Sequence, residues 1–240
     1  MFVRDKETRE AAIDLAKQIG NSSAGRLGKD FIGFYLLGSL AHGGFNRRYS
    51  DIDVALISEN GVEGAFLEAL EAEACAIAPD LGSRVSIFWT DRAFSVGRFP
   101  PLDRIDYIEH AIPLEECERV EVSKPTLEEI QIYMRGSPLE RWAGRGVRFS
   151  TQLSLDPDER KTFLKTYLYP ARFAFSWLTG QIGSNDTAVK YLNNKPIAGL
   201  DIGLINRALA CRNAAADPDS LFDDRISLPA QYEACVKLMG

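Results

Sequence analysis

Two short apolar runs framing a polar turn constrain this chain more than any other feature. Ile32–Leu37 has the length of a strand and stops at Gly38-Ser39; after eleven further residues rich in small, polar and basic types comes Asp51-Ile52-Asp53-Val54-Ala55-Leu56. A strand that ends in Gly-Ser can pass directly into a helix whose first N–H groups lack internal partners. Glycine then lets phosphate oxygens approach the backbone, and serine adds a hydroxyl donor or a cap. In the second run side chains alternate, so Asp51 and Asp53 fall on one face about 7 Å apart while Ile52, Val54 and Leu56 turn the other way, into a core. Two carboxylates on one face suit Mg²⁺, which takes oxygen ligands and bridges carboxylates to substrate phosphates. A solvated strand start is the plainer alternative for Asp51, but Asp53 lies inside the apolar run, where an unpartnered carboxylate is costly.

The surrounding sequence places these runs in an α/β layer. Glu7–Ile19 sets Ala11, Leu15 and Ile19 on one helical stripe, Val62–Ala78 is rich in Ala, Leu and Glu, and Arg84–Trp89 reads as a further strand. Past Ser123-Lys124-Pro125 the strand signal ends. Helical stretches follow at about Asp158–Leu178, Asp186–Leu192, Ile202–Ala215 and Pro229–Leu238, separated by Gly, Pro and Asn. Arg135–Arg148, with Gly136, Pro138, Gly144 and Gly146 among four arginines, reads as a connecting loop. Charge changes at the same boundary: residues 1–123 carry 13 basic and 21 acidic side chains, residues 124–240 carry 15 and 13.

Composition excludes several function classes. The net charge of −6 argues against a sequence-independent grip on a nucleic-acid backbone, which needs a basic face. No run approaches the roughly 18 apolar residues of a membrane helix. Met1–Lys6 has no secretory apolar core, so a cytoplasmic chain is expected. Cys75, Cys117, Cys211 and Cys235 form no Cys-x-x-Cys pair and read as packing thiols, and with only His42 and His110 there is no zinc constellation.

The strand, the Gly-Ser pair, the spacer and the Asp-x-Asp resemble the signature of the nucleotidyltransferase superfamily that includes DNA polymerase beta. The spelling Gly38-Ser39, Gly43-Gly44-Phe45 and Tyr49-Ser50-Asp51-Ile52-Asp53 is especially similar to bacterial aminoglycoside adenylyltransferases acting at the 3″ or 9 hydroxyl. Arg172-Phe173-Ala174-Phe175-Ser176-Trp177-Leu178-Thr179-Gly180-Gln181-Ile182 looks like the helix and Thr-Gly element of that subgroup's C-terminal domain. The resemblance implies an α/β (α+β) mixed-sheet nucleotidyltransferase domain over 1–123 and an all-helical bundle over 124–240, with Mg-ATP in the cleft between them. AMP would pass to a hydroxyl of a small acceptor, an aminoglycoside or another molecule, and pyrophosphate would leave. Carried over by position, Gly38 and Ser39 would hold the triphosphate, Asp51 and Asp53 would ligate Mg²⁺, and Arg172 would reach the ATP phosphates.

Two departures from the pattern bear on catalysis. The superfamily places a third acid on the later strand, as metal ligand or as base for the acceptor; here that strand reads Arg84-Val85-Ser86-Ile87-Phe88-Trp89, and Asp91, just beyond it, is the substitute. A lysine that often follows the Thr-Gly element is also absent: Ser184-Asn185-Asp186 stands there, with Lys190 one turn on. These departures motivate a rival reading, a nucleotide-binding or interaction protein of the same fold without turnover; AMP transfer onto a protein partner lies between the two. Arg47 and Arg48 read as exposed loop charges or as phosphate ligands. The arginines of 135–148 are a solvated face or a cationic wall toward an anion, an arrangement hostile to a polycationic acceptor. Asp156, Asp158 and Glu159 are the competing acidic patch, ordinarily a helix-dipole offset. Trp142 and Trp177 read as packing residues, Trp142 with the option of flanking a ligand.

Overall fold

Ala12, Leu15, Ala16 and Ile19 recur at helical spacing, and the first element is accordingly a long helix, α1 (Phe2–Leu27), with that stripe buried. The computed structural model describes residues 2–240, with side chains from Thr8 onward. After one turn of 3₁₀ helix come β1 (Phe31–Leu36), the single-turn α2 (Gly38–Ala41) and β2 (Ile52–Ser58). Then follow α3 (Gly64–Ile77), α4 (Pro79–Gly82), β3 (Val85–Asp91), β4 (Gly97–Arg98), α5 (Pro101–His110) and β5 (Ile112–Glu116). The chain divides into two compact units at Lys124/Pro125.

In the first unit five strands form one mixed sheet in the order β4-β3-β2-β1-β5. β2 and β3 are parallel and the other pairs antiparallel. A parallel pair needs a crossover, and α3 with α4 supplies it. All six residues of β1 are buried because both faces of the sheet are covered. Leu15 and Ile19 of α1 and Leu70 of α3 meet Phe34, Leu36, Ile52, Val54 and Leu56 on one face. On the other, Tyr107 of α5 joins Ile32, Tyr35, Leu37, Ala55 and Ile57. Each large apolar side chain so buried contributes roughly 1.5–3 kcal/mol, so the two-sided core, not the short edge strands, fixes β1 and β2. The mixed α/β sheet expected from the sequence is therefore present.

The second unit is helical throughout: α6 (Leu127–Arg135), α7 (Ser137–Thr151), α8 (Arg160–Thr179), α9 (Asn185–Asn194), α10 (Ile202–Asn213) and α11 (Leu228–Met239), with short 3₁₀ segments before α8 and α11. Three of its six helix starts carry side-chain caps. Thr126 and Glu129 form a capping box on α6, Ser184 accepts from Thr187 N–H on α9, and Asp201 accepts from Leu204 N–H on α10.

The loop expected over Arg135–Arg148 is instead the end of α6 and most of α7. Pro138 stands in the first helical turn, where its missing N–H costs nothing, and Leu139, Trp142, Gly146 and Phe149 make a buried stripe at helical spacing. Gly146 is a packing glycine: a Cβ there would lie 2.9 Å from the Tyr232 ring. The cysteines also depart from expectation. None of the four is in a disulfide, but Cys75 and Cys117 are exposed and only Cys235 is buried, where burial pushes its thiol up to about 12. No described helix is long and apolar enough to cross a membrane.

Candidate active site

The site begins where β1 stops. Leu37 N–H donates to Asp53 O at 2.9 Å, keeping the strand ends together, and Gly38 then turns with φ +60°, a backbone shape that favours glycine. His42 N–H closes on Gly38 O at 3.0 Å to make the single turn of α2, and the buried Leu40 anchors that turn in the core. Ser39 stays partly exposed beside it.

Asp53 lies against this turn. Its Oδ2 is 2.3 Å from where a Cβ on Gly38 would stand, so the absence of a side chain at position 38 is what admits the carboxylate. Strand alternation puts Asp53 on the face of Ala55 and Ile57, and Asp51 sits one residue before β2 begins. The spacer is held in place by its own polar groups. Asn46 Oδ1 accepts from Arg48 and Tyr49 N–H at 2.9 and 3.1 Å, an Asx turn, and Ser50 Oγ accepts from Asn46 N–H at 2.9 Å.

Arg84, which no sequence pattern marks, braces this loop. Its Nε and Nη2 donate to Ser50 O at 3.0 and 2.6 Å, its Nη1 donates to Arg47 O, and its own carbonyl accepts from Ile52 N–H at 2.9 Å. Burial lowers the guanidinium's proton affinity and the neighbouring Asp51 carboxylate works against that, so Arg84 is a cation that the fold itself sets beside the paired acids. Arg47 is exposed, and its carbonyl is the part of it that the loop uses.

A third carboxylate is present, on an element the sequence reading passed over. Asp106 of α5 is 2% exposed and its Oδ2 accepts Gly38 N–H at 2.6 Å, while its Oδ1 is buried without a hydrogen-bond partner. Asp53 and Asp106 thus both touch Gly38. The available signal was the acid itself, set between Ile105 and Tyr107 in a short amphipathic segment where both neighbours are buried. Nearby, the rings of His42 and His110 meet edge to face with centroids 5.5 Å apart.

Other expected members are not brought here. Ser86, not an acid, is the β3 residue opposite Asp53; Asp91 is opposite Ser58, five positions further along and roughly 16 Å away at strand rise. Asp91 instead closes the turn before β4, accepting from Ser95 Oγ and N–H, both at 2.7 Å, and from Val96 N–H at 3.2 Å. The register of β2 with β3 carries Asp91 to the far end of the strand from Asp53, so the structure does not bring this expected acid to the Gly38 turn. Ser95 and then the backbone donors hold its carboxyl below the usual range. With the folded value lower than the unfolded one, its stabilising contribution is full above about pH 4 and is lost as pH falls through the folded value. Asp91→Asn is expected to remove this acid-side loss of stability in a pH series of melts while leaving any transfer rate within about twofold, whereas a hundredfold fall in kcat would restore the catalytic role. Arg172 belongs to the second unit, on α8, with its guanidinium 5.3 Å from the Tyr169 ring centre.

The donor set fits Mg²⁺. Carboxylates and a hydroxyl are hard oxygen donors, and the partnerless Oδ1 of Asp106 offers lone pairs that only a donor or a cation relieves. Among the described residues no group of three His, Cys, Asp or Glu side chains converges tightly enough to hold a metal alone.

No family model and no curated protein matches this chain. Among solved structures, spectinomycin adenyltransferase AAD(9) from Enterococcus faecialis, determined with ATP and spectinomycin, is similar with a TM-score of 0.70 and 12% identity, over 94% of this chain and 98% of that one. At that identity the likeness speaks to architecture alone: the chain shares the fold of that structure, a mixed sheet followed by helices.

Proposed function

We propose that this protein transfers AMP from ATP, with Mg²⁺, to a hydroxyl of a small acceptor and releases pyrophosphate. The observation that carries the reading is the Asp53 carboxylate lodged against the Gly38 turn, with Asp51 and its pinned loop alongside. The fold shared with an adenylyltransferase solved with ATP supports it.

In this reading Ser39 and the turn it opens bind phosphate oxygens. Gly38 N–H is already given to Asp106, so the donors for a phosphate are the Ser39 hydroxyl and the N–H groups that follow it. Asp51 and Asp53 are the residues that would hold Mg²⁺, which when bound neutralises charge on the triphosphate. Arg84 keeps the Arg47–Ser50 backbone still so that Asp51 stays in place. The acceptor hydroxyl oxygen attacks the α-phosphorus and its proton passes to water, the bond to the β-phosphate oxygen breaks, and pyrophosphate departs with the electron pair. With Ser86 rather than an acid opposite Asp53, electrostatic stabilisation rather than a strand-borne base supplies most of the rate.

The same Ser86 favours the second reading, nucleotide binding without turnover. A pyrophosphate-release assay over sugars, aminoglycosides, phosphorylated small molecules and proteins separates the two. The expected result is release that depends on one acceptor class and vanishes with Asp51→Ala. ATP binding with no release for any acceptor would favour the second reading.

A further inference from the structure

The second unit carries an electrostatic cost that its own acids do not offset. Arg141, Arg145 and Arg148 recur on α7 at intervals of four and three, so they share one side of the helix. Arg148 is neutralised by Glu159. Neither Arg141 nor Arg145 has an ion-pair partner among the described residues, and several of the unit's acids are engaged elsewhere: Asp217 and Asp219 hold Arg160, and Asp224 holds Arg207. Burial first, and then the Arg141 charge, pull down the proton affinity of the Arg145 guanidinium; Tyr169 and Tyr232 work against this, Arg148 adds to it, and no carboxylate is among the groups acting on it.

Aromatic rings fix that cation. Trp142 and Tyr169 stack with centroids 3.7 Å apart and planes 19° from parallel, and Arg145 lies 4.4 Å from the Trp142 ring centre. Arg172 lies over Tyr169, so the pair of rings carries a guanidinium at each helix. Trp142 is 5% exposed and Arg145 partly buried, so the stacked side chains have little freedom left to lose on binding. A partly buried cation with a second, exposed arginine one helical turn before it and no counter-charge is unfavourable in the unliganded protein and is relieved by an anion. A guanidinium over a ring face keeps N–H groups for a forked acceptor, and a phosphate, with about two charges and three equivalent oxygens, can take the Arg145 fork and the neighbouring Arg141 together better than a carboxylate does.

We propose that Arg145, set against the Trp142–Tyr169 stack, and the exposed Arg141 one turn before it on α7 form a binding site for a phosphate-bearing small anion. The site stands on the helical unit alone and is independent of the transferase reading. Two sources share its chemistry, the polyphosphate of a nucleotide and a phosphate group on an acceptor, and a polycationic acceptor is disfavoured by it.

Calorimetric titration of the full-length protein with inorganic pyrophosphate, without Mg²⁺, tests this. Wild type is expected to bind, and Arg141→Ala/Arg145→Ala to bind about ten- to a hundredfold more weakly, with an unliganded melting midpoint equal to or above wild type because like charges are relieved. Arg145→Lys keeps the charge and loses the fork, so an intermediate loss is expected. Asp51→Asn/Asp53→Asn, which silences the transferase reading, should leave pyrophosphate affinity intact. The proposal is overturned if wild type fails to bind, if the arginine variants bind within about twofold of it, or if the aspartate variant loses as much affinity as they do. Saturating MgATP then separates the sources. If it abolishes the arginine-dependent binding, the nucleotide's phosphates fill the site; if ribose 5-phosphate still binds in an arginine-dependent way, the acceptor's phosphate does.

Discussion

Asp53→Asn is expected to lower acceptor-dependent pyrophosphate release by about a thousandfold, the scale of removing a preorganised electrostatic group from a transferring phosphoryl site. The change is isosteric, so the new amide still fits against Gly38 and the strand register is untouched. What is lost is one negative charge beside Asp51 and Asp106. The unliganded protein should therefore melt at the same temperature as wild type or slightly above it, because crowded carboxylates repel. ATP affinity measured by calorimetry is expected to fall in the presence of Mg²⁺ and to stay nearly constant, or rise, in its absence. Equal affinity for ATP with Mg²⁺ in wild type and variant would remove the metal-site assignment.

Gly38→Ala is expected to abolish transfer to a similar degree by a different route. The residue holds φ +60°, which costs an L side chain roughly 1–2 kcal/mol. The new Cβ would also stand 2.3 Å from Asp53 Oδ2 and 3.1 Å from its Cβ and Cγ, so the carboxylate must swing away. A melting midpoint several degrees lower should accompany the lost activity, at the scale of about 2–4 °C per kcal/mol for a chain of this length. Gly43→Ala is the control. Gly43 has φ +93° but nothing within 4 Å of its Cβ direction, so it carries the backbone cost without the collision. The expected outcome is a similar destabilisation with transfer retained; matched activity losses in the two variants would show that displacement of Asp53 is not the cause.

Much of this site was readable because it is local. β1, the Gly38-Ser39 turn, the spacer and β2 lie within Phe31–Ser58, and their alternation and turn chemistry act over a few residues at a time. Helices after Pro125 were readable for the same reason, except where glycine misled. Gly144 and Gly146 read as loop breakers, while the buried stripe Leu139, Trp142, Gly146 and Phe149 against Tyr232 outweighed their low helix propensity. That misreading also hid the Arg141–Arg145 side of α7, since only a helix puts those charges on one side.

The sequence by itself determined that a strand would end in a Gly-Ser turn, that two acids would follow it at the start of a second strand, and that a helical region would come after. Each of these rests on interactions between near neighbours along the chain. Only the tertiary structure decided which distant groups join them: Asp106 reaches Gly38 from 68 residues away, Arg84 reaches Ser50 from 34, and the β2–β3 register sends Asp91 to the wrong end of its strand. Strand order and register are set by the burial of both sheet faces at once, a sum over residues scattered along the first unit, and no local pattern contains that sum.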